Sequence, residues 1–532
     1  MLKSDLDNPN NMNTAYDQTP YTSFPYAQSH PARLATIAML LGLRPPNVTT
    51  ARVLELGCCS GGNLVPMAEQ FPDAQFVGID ASARQIADGQ VIVGQLGLGN
   101  VNLLAMDILD VGPDLGKFDY IVCHGVYSWV PRNVQDKILS ICRDNLTPDG
   151  AAYVSYNTLP GWRMRGVIRD IMLYRARGYS EPSERIGRAR SLVDFLARSV
   201  AGEQNPYGML LRKELELLTS KDDSYLLHDH LEEHNEPVYF SEFASRASEA
   251  GLAYLGEADY GSTDLKNVPE QVRLVIENIA GDEIELQQYL DFLMNRTFRQ
   301  TLLCHKGAAI DRDVKPERLL GMYVASPVRP EKPIENLRSD EKVHFRGPSA
   351  VTTTIDPIVK AALMHLGDIW PVAVSFIDLV AIARSRASDA PAFVDSEQMG
   401  AQTRRLAATL IRCYSTGQVE LTMAKPTFTS TVTEKPIASR CARLQAASSN
   451  TVTNYRHETV RLSDLERQIV LRLDGTNSLT EIIEDIGDSA MRGTFSVMLD
   501  GNPLSGDALK GTISTTISGS LSRIARLALL AT

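Results

Sequence analysis

Short apolar runs alternate with longer mixed stretches through the first third of the chain. Arg52–Leu56, Gln75–Ile79, Val101–Ala105, Tyr120–Cys123 and Ala151–Tyr156 read as strands. Gly62–Gln70, Ala83–Leu96 and Val134–Asn145 read as the helices between them, and a helix from Pro31 to about Leu43 precedes the first strand, with proline in its first turn. Tyr120–Cys123 has no polar side, as expected of a strand buried on both faces. The alternation predicts an α/β domain built on a doubly wound parallel sheet.

From about Trp162 to Leu231 the pattern is mostly helical. Ser241–Gly251 then predicts a helix, and Leu252–Glu257 and Phe298–Cys304 predict two more strands. These strands are expected to complete the same sheet, making it seven-stranded. The helical stretch is then an insertion covering the sheet's carboxyl edge, in the position of a lid. Ala325–Pro357 is rich in proline and charge and reads as a linker. Beyond it, Val359–Leu366, Phe376–Arg384 and Thr403–Tyr414 read as helices and Gln418–Thr422 as a strand, which suggests a winged-helix-like, mostly α module. Leu462–Leu473 and Thr480–Ile486 are amphipathic.

Charge narrows the choice of partner. The 532 residues carry 53 Lys and Arg against 64 Asp and Glu, a net charge of −11. Such a chain is repelled by nucleic acid unless a local basic patch intervenes, so no nucleic-acid substrate is expected. No apolar run approaches the ~18–20 residues that cross a bilayer, so no membrane insertion is expected. The seven cysteines form no CxxC pair and no disulfide framework, and the polar start shows no signal peptide. A cytoplasmic location is the expectation.

The chemistry concentrates at strand ends. Val53-Leu54-Glu55-Leu56 runs into Gly57-Cys58-Cys59-Ser60-Gly61-Gly62-Asn63, a glycine-rich turn that opens a helix. Open α/β sheets bind ligands at such a carboxyl end. Many nucleotide folds share that signal, and the following strands sharpen it. Gly78-Ile79-Asp80 ends the second strand in a carboxylate that can accept both hydroxyls of a ribose. After the third strand, Asp107 can accept an adenine amino group while Met106 and Ile108 sandwich the ring. A dinucleotide fingerprint wants G-x-G-x-x-G for a pyrophosphate. The spacing Gly57-x-x-x-Gly61 suits a ligand without one, S-adenosylmethionine (SAM). The candidate cofactor contacts are Glu55, Gly57, Cys58, Gly61, Asn63, Asp80, Ala81, Met106, Asp107 and Ile108. His124, just after the fourth strand, adds either a backbone carbonyl for the cofactor's amino group or a general base.

These residues resemble class I SAM-dependent methyltransferases. The chain is more specifically similar to a bacterial family with a methyltransferase regulatory domain, which includes rickettsial protein-lysine methyltransferases. The stretches that carry this are His124-Gly125-Val126-Tyr127-Ser128-Trp129-Val130-Pro131, Ser155-Tyr156-Asn157-Thr158-Leu159-Pro160-Gly161-Trp162, Pro237-Val238-Tyr239-Phe240 and Leu473-Asp474-Gly475-Thr476. One departure is Cys59, where the class usually has glycine. The resemblance implies SAM as cofactor, its demethylated form as product, and no metal. The expected division is a SAM-binding core at 1–160, a lid at 161–240, and completion of the sheet with a regulatory region at 241–325. A linker at 326–355 and a C-terminal domain at 356–532 follow.

Tyr127, Trp129, Tyr156 and Asn157 are the candidate acceptor-site residues, expected to rim the pocket. Tyrosine and asparagine can orient an amine, and tryptophan can wall off water and offer a cation–π face. Packing of Tyr127 and Trp129 against the lid is the competing reading. Tyr21 and His30 precede the first helix, where the segment either folds over the cofactor or straps the surface. His228, His230 and His234 invite a metal reading, against which stands a solvated polar helix face. The favoured acceptor is a lysine amine of a protein substrate, because a small acceptor does not need so large an accessory portion. The alternatives are a small-molecule or saccharide methyltransferase and a SAM-binding regulator without turnover; a homodimer is compatible with either.

Overall fold

The computed structural model describes residues 23–200, 202, 205–220, 223–232, 234–387, 396–492, 498–499, 502–503 and 506–532. Helix α1 (Pro31–Leu40) leads into β1 (Arg52–Leu56), α2 (Leu64–Gln70), β2 (Gln75–Asp80), α3 (Ala83–Leu96), β3 (Val101–Ala105), β4 (Phe118–Cys123), α4 (Arg132–Asp144) and β5 (Leu146–Asn157). Ser82 caps the start of α3 by accepting from the Gln85 amide, and Gly97 ends it with φ 61°. Four helices follow, α5 (Trp162–Ala176), α6 (Pro182–Ser199), α7 (Pro206–Ser220) and α8 (Asp223–His230). The chain then returns through α9 (Phe240–Glu249) to β6 (Leu252–Glu257), α10 (Glu270–Ile279), α11 (Glu283–Met294) and β7 (Phe298–His305).

The seven strands stand in the order β3-β2-β1-β4-β5-β7-β6. The first five run parallel, and β7 is antiparallel to both β5 and β6. Successive side chains on a strand point to opposite faces, and two cores result. Val122 and Tyr153 pack with Leu64 and Met67 of α2 on one face. Ile121, Val154 and Tyr156 pack with Ile138 of α4 and Phe243 of α9 on the other.

The antiparallel edge is fastened by charge. Arg299 on β7 is fully buried and donates from Nε to Asp291 Oδ2 at 2.8 Å and from Nη1 to Glu257 Oε1 at 2.6 Å. Its Nη2 reaches Asp291 Oδ1 at 2.9 Å, and its guanidinium lies 3.8 Å from the Phe240 ring centroid. One side chain thus links β6, β7, α9 and α11.

The insertion α5–α8 has a core of its own, with Ile168, Met172, Ile186, Val193, Leu211 and Leu227. It departs and returns side by side: Thr158 bridges Val238 in parallel register, and the Leu159 amide donates to the Val238 carbonyl at 3.1 Å. The solvated-face reading of the histidine run fails at His230, while His234 is partly exposed. His230 is buried, with Nε2 3.0 Å from Glu214 Oε1, and Arg165 pairs with the same carboxylate at 3.4 Å.

Residues 326–355 are not a bare linker. Arg329–Pro330, Val343–Arg346 and Val351–Thr354 form a three-stranded antiparallel sheet, and Phe345 is buried in the core of the next unit. The stretch was too charged to suggest this, because its short strands bury only single residues. The C-terminal region also holds two cores rather than one. Leu363, Leu379 and Leu410 belong to the first, and Ile469, Ile482, Ile517 and Ile524 to the second. Among the described residues no helix is long and apolar enough to cross a membrane.

Candidate active site

The turn after β1 needs unusual backbone. Gly57 and Gly61 have φ of 75° and 78°, and a methyl group on Gly57 would lie 2.5 Å from Val126 Cγ2. Cys59, the departure from the usual glycine, also takes a left-handed conformation, φ 51°. The loop is held to β2 by Asp80, whose Oδ2 accepts from the Cys59 amide and Oδ1 from the Ser82 amide, each at 2.9 Å. Asp80 stays half-buried and Ala81 is exposed beside it. Met106 and Ile108 are half-buried, and exposed Asp107 turns the chain by accepting from the Leu109 amide at 2.8 Å. Opposite them Gly125 has φ 68°, and a Cβ there would meet nothing within 4 Å. The carboxyl edge of the sheet thus gathers a carboxylate, a half-buried apolar pair and open backbone around the glycine loop and the end of β4. That donor set fits SAM.

Three of the expected cofactor contacts, Asn63, Cys58 and Glu55, are buried beneath the loop surface. Asn63 is buried, and its amide is fully engaged by protein. Nδ2 donates to Glu55 Oε1 at 2.7 Å and Ser29 Oγ at 3.0 Å, while Oδ1 accepts from the Tyr26 amide at 2.9 Å and lies 2.7 Å from His457 Nε2. Asn63 therefore supports the loop instead of touching a ligand above it. Cys58 is buried as well, its Sγ set against Gly78. Glu55 is buried, and its Oε2 has no partner among the described residues. Burial raises its pKa to about 8, with the Asn63 hydrogen bond opposing and the Asp80 charge adding to the rise. The folded protein then holds a proton that the unfolded chain releases near pH 4.3, so stability from this site falls as pH rises toward 8. Glu55→Gln, which mimics the protonated carboxyl, is expected to remove that slope. Between pH 6 and 7 the parent should lose about 1.4 kcal/mol relative to the variant. Thermal midpoints at the two pH values check this, and parallel changes would show that Glu55 is ionised when folded.

The N-terminal segment lies on the loop. Ser23 Oγ accepts from the Gly62 amide at 2.8 Å, and the Tyr26 ring sits 3.8 Å from the His124 ring. His30 caps α1 through Nδ1 and is buried, its pKa lowered to about 4 by burial. Tyr21 lies outside the described residues.

The rim differs from the expected one. Tyr127 and Tyr156 are fully buried on the α4/α9 face, 5.2 and 4.1 Å from Phe243 between ring centroids, and they form no exposed rim. The reason is strand parity: Tyr153, Ser155 and Asn157 point to the opposite face from Tyr156. Tyr153 Oη lies 2.8 Å from His124 Nδ1 and Ser155 Oγ 3.3 Å from it. Phe298 pairs with Asn157 across β5 and β7, and its ring stands 6.1 Å from His124. Asn157 Nδ2 donates to Asn235 Oδ1 at 3.2 Å, and Trp129 meets Trp162 of the insertion edge-on at 6.3 Å. The geometry thus assembles Tyr26, His124, Tyr153, Ser155, Asn157 and Phe298. Reading β5 by alternation from Asn157 would have found Tyr153 and Ser155. Burial lowers the His124 pKa to about 4, so the ring is neutral near pH 7.

Fold and site together define a class I SAM-dependent methyltransferase. Family models match a methyltransferase domain at residues 53–150, a predicted methyltransferase regulatory domain at 222–305, and the PKMT C-terminal winged-helix domain at 434–529. An uncharacterised protein of Rickettsia prowazekii (strain Madrid E) is 35% identical over 497 residues, 92% of this chain and 88% of the relative. A second from the same organism is 42% identical over 233 residues, 44% of this chain and 93% of that one. The solved structure of PKMT2 from Rickettsia typhi matches with TM-score 0.85 and 32% identity, over 96% of this chain and 100% of that one, and it has also been solved with AdoHcy. The chain belongs to the family of class I methyltransferases that carry this regulatory domain and PKMT-type winged helix. The regulatory-domain match spans β6 and β7, so that region is part of the catalytic sheet itself. The winged-helix match begins at 434, beyond the 359–422 helices to which the sequence pattern had pointed.

Proposed function

We propose that this enzyme transfers methyl groups from SAM to lysine side-chain amines of a protein substrate in the cytoplasm. The carrying observation is the likeness to PKMT2 along nearly the whole chain, accessory units included. SAM supplies a methyl group on a sulfonium, and the chain must present an acceptor amine in line with it. A lysine ammonium has no lone pair to donate, so the site must favour the neutral amine. Tyr26, the uncharged His124 ring and Phe298 group together, with Trp129 at the edge of the insertion, and aromatic surroundings of this kind lower an ammonium's pKa by desolvation. A ring with a pKa of about 4 is too weak a base to hold a proton taken from an ammonium. His124 therefore serves as a wall, and the proton leaves to water before transfer. Asn157 orients the amine by hydrogen bonding. All seven cysteines are unpaired, in keeping with a reducing compartment.

Incubation with labelled SAM and a fractionated lysate tests the reading. Label in a protein band that maps to mono-, di- or trimethyl-lysine supports it. Label only in a small-molecule or glycan fraction overturns it. Trp129→Ala is expected to lower kcat/KM for the protein acceptor about tenfold while SAM affinity holds, since about 1.4 kcal/mol is typical of a lost aromatic wall. Equal losses in both would assign Trp129 to folding.

A further inference from the structure

Asn63 begins α2, where asparagine ordinarily caps the helix, yet its side chain forms no cap bond. All its hydrogen-bonding capacity goes to β1, the N-terminal segment and one group 394 residues away, His457. His457 sits at the tip of the hairpin formed by Thr451–Thr453 and Thr459–Arg461 in the C-terminal domain. It is buried and left-handed, φ 60°, a conformation that a non-glycine residue adopts at a cost. The tip is built to bear that cost. Asn454 Oδ1 accepts from the Arg456 and Glu458 amides at 3.0 and 2.9 Å, and its Nδ2 donates to the Leu527 carbonyl at 3.0 Å. Arg456 in turn pairs with Glu420 at 2.6 Å and stacks on Trp370. The tip is thus fixed by its own unit and by Glu420 and Trp370 of the unit before it, independently of the loop.

The far end of α2 is gripped by the same domain. Glu69 Oε1 accepts from the Arg440 amide at 2.6 Å, and Oε2 accepts from the Cys441 amide at 2.9 Å and Ser439 Oγ at 2.8 Å. A carboxylate of the methyltransferase core therefore caps the Arg440–Ala446 helix. The helix that carries the glycine loop is held at both ends by the C-terminal domain.

We infer that His457 is a positioning residue for cofactor binding: the C-terminal hairpin donates through it to Asn63 and holds the Gly57–Gly62 loop in its SAM-receiving shape. Because Oδ1 of Asn63 already accepts from a backbone amide, its amide orientation makes His457 Nε2 the donor. The inference rests on the SAM reading of the loop. It makes the C-terminal domain a condition of methyl-donor binding, whatever its dealings with the acceptor.

Three variants of the full chain test it, read by SAM affinity in calorimetry and by steady-state kinetics. His457→Phe keeps the ring volume and removes the donor. It is expected to raise the Kd and KM for SAM about fivefold and leave kcat within twofold. His457→Gln restores a donor of similar reach and should recover most of the affinity. His457→Gly relieves the left-handed backbone and removes the donor, so it should fold at least as well as the Phe variant yet bind SAM as weakly. SAM affinity within twofold of the parent in both donor-less variants overturns the proposal. So does a Gln variant as weak as Phe. A parent that binds no SAM overturns the cofactor reading beneath it, which separates the two failures.

Discussion

Arg299→Met should cost about 3–5 kcal/mol of stability, the range seen when one partner of a buried ion pair is removed. The substitution preserves much of the side-chain length but strands Glu257 and Asp291, which are both buried. Asp291 keeps Arg296, whose Nε donates to Oδ1 at 2.7 Å. Glu257 keeps only neutral donors, the Gln300 amide and the Thr301 hydroxyl. Its charge is thus the larger part of the penalty. Arg299→Lys should fall between, because an ammonium retains the charge and loses the fork that reaches both carboxylates at once. Thermal and chemical unfolding of the three proteins check the order. A Met variant as stable as the parent would mean that the cluster carries no net stability. The effect should also reach His124, since neighbouring Phe298 stands 6.1 Å from its ring.

Asp80→Ala should weaken SAM binding by about 1–3 kcal/mol, a factor of roughly 5 to 150. Two losses combine. The carboxylate is the acceptor we assign to a ribose, and it also draws the Cys59 and Ser82 amides together. Without it the Cys59 amide loses its partner and the left-handed turn loses its anchor. Asp80→Asn keeps one oxygen and should recover part of the affinity, which would separate the anchoring role from charge. Calorimetry measures both. An unchanged dissociation constant for the Ala variant would remove Asp80 from the cofactor site.

The parallel half of the sheet was legible because β1, β4 and β5 carry short, largely apolar runs and are buried on both faces, which few other arrangements allow. The β6 and β7 strands were legible as strands, but direction leaves no mark in an apolar pattern, and β7 runs against its neighbours. The glycine loop and Asp80 could be placed because strand ends and turns announce themselves locally. Tyr156 could not be separated from Tyr153 by type alone; only strand parity puts one in the core and the other beside His124. Asn63 failed for a different reason. Its four partners come from three segments, one of them at residue 457, and no local pattern encodes a contact that distant. The sheet at 329–354 escaped because runs such as Val351-Thr352-Thr353-Thr354 alternate weakly and bury little.

The insertion between β5 and α9 leaves and re-enters through backbone that is already bonded to itself at Leu159 and Val238. A tight turn joining those two points would close the sheet without disturbing β5 or α9. The stretch from 160 to 237 is thus a cassette, covalently interior yet topologically detachable, with its own hydrophobic centre. Because it sets Asn235 against Asn157 and Trp162 against Trp129 and supplies none of the residues of the glycine loop, exchanging it would change the surroundings of those two side chains and leave the glycine loop intact.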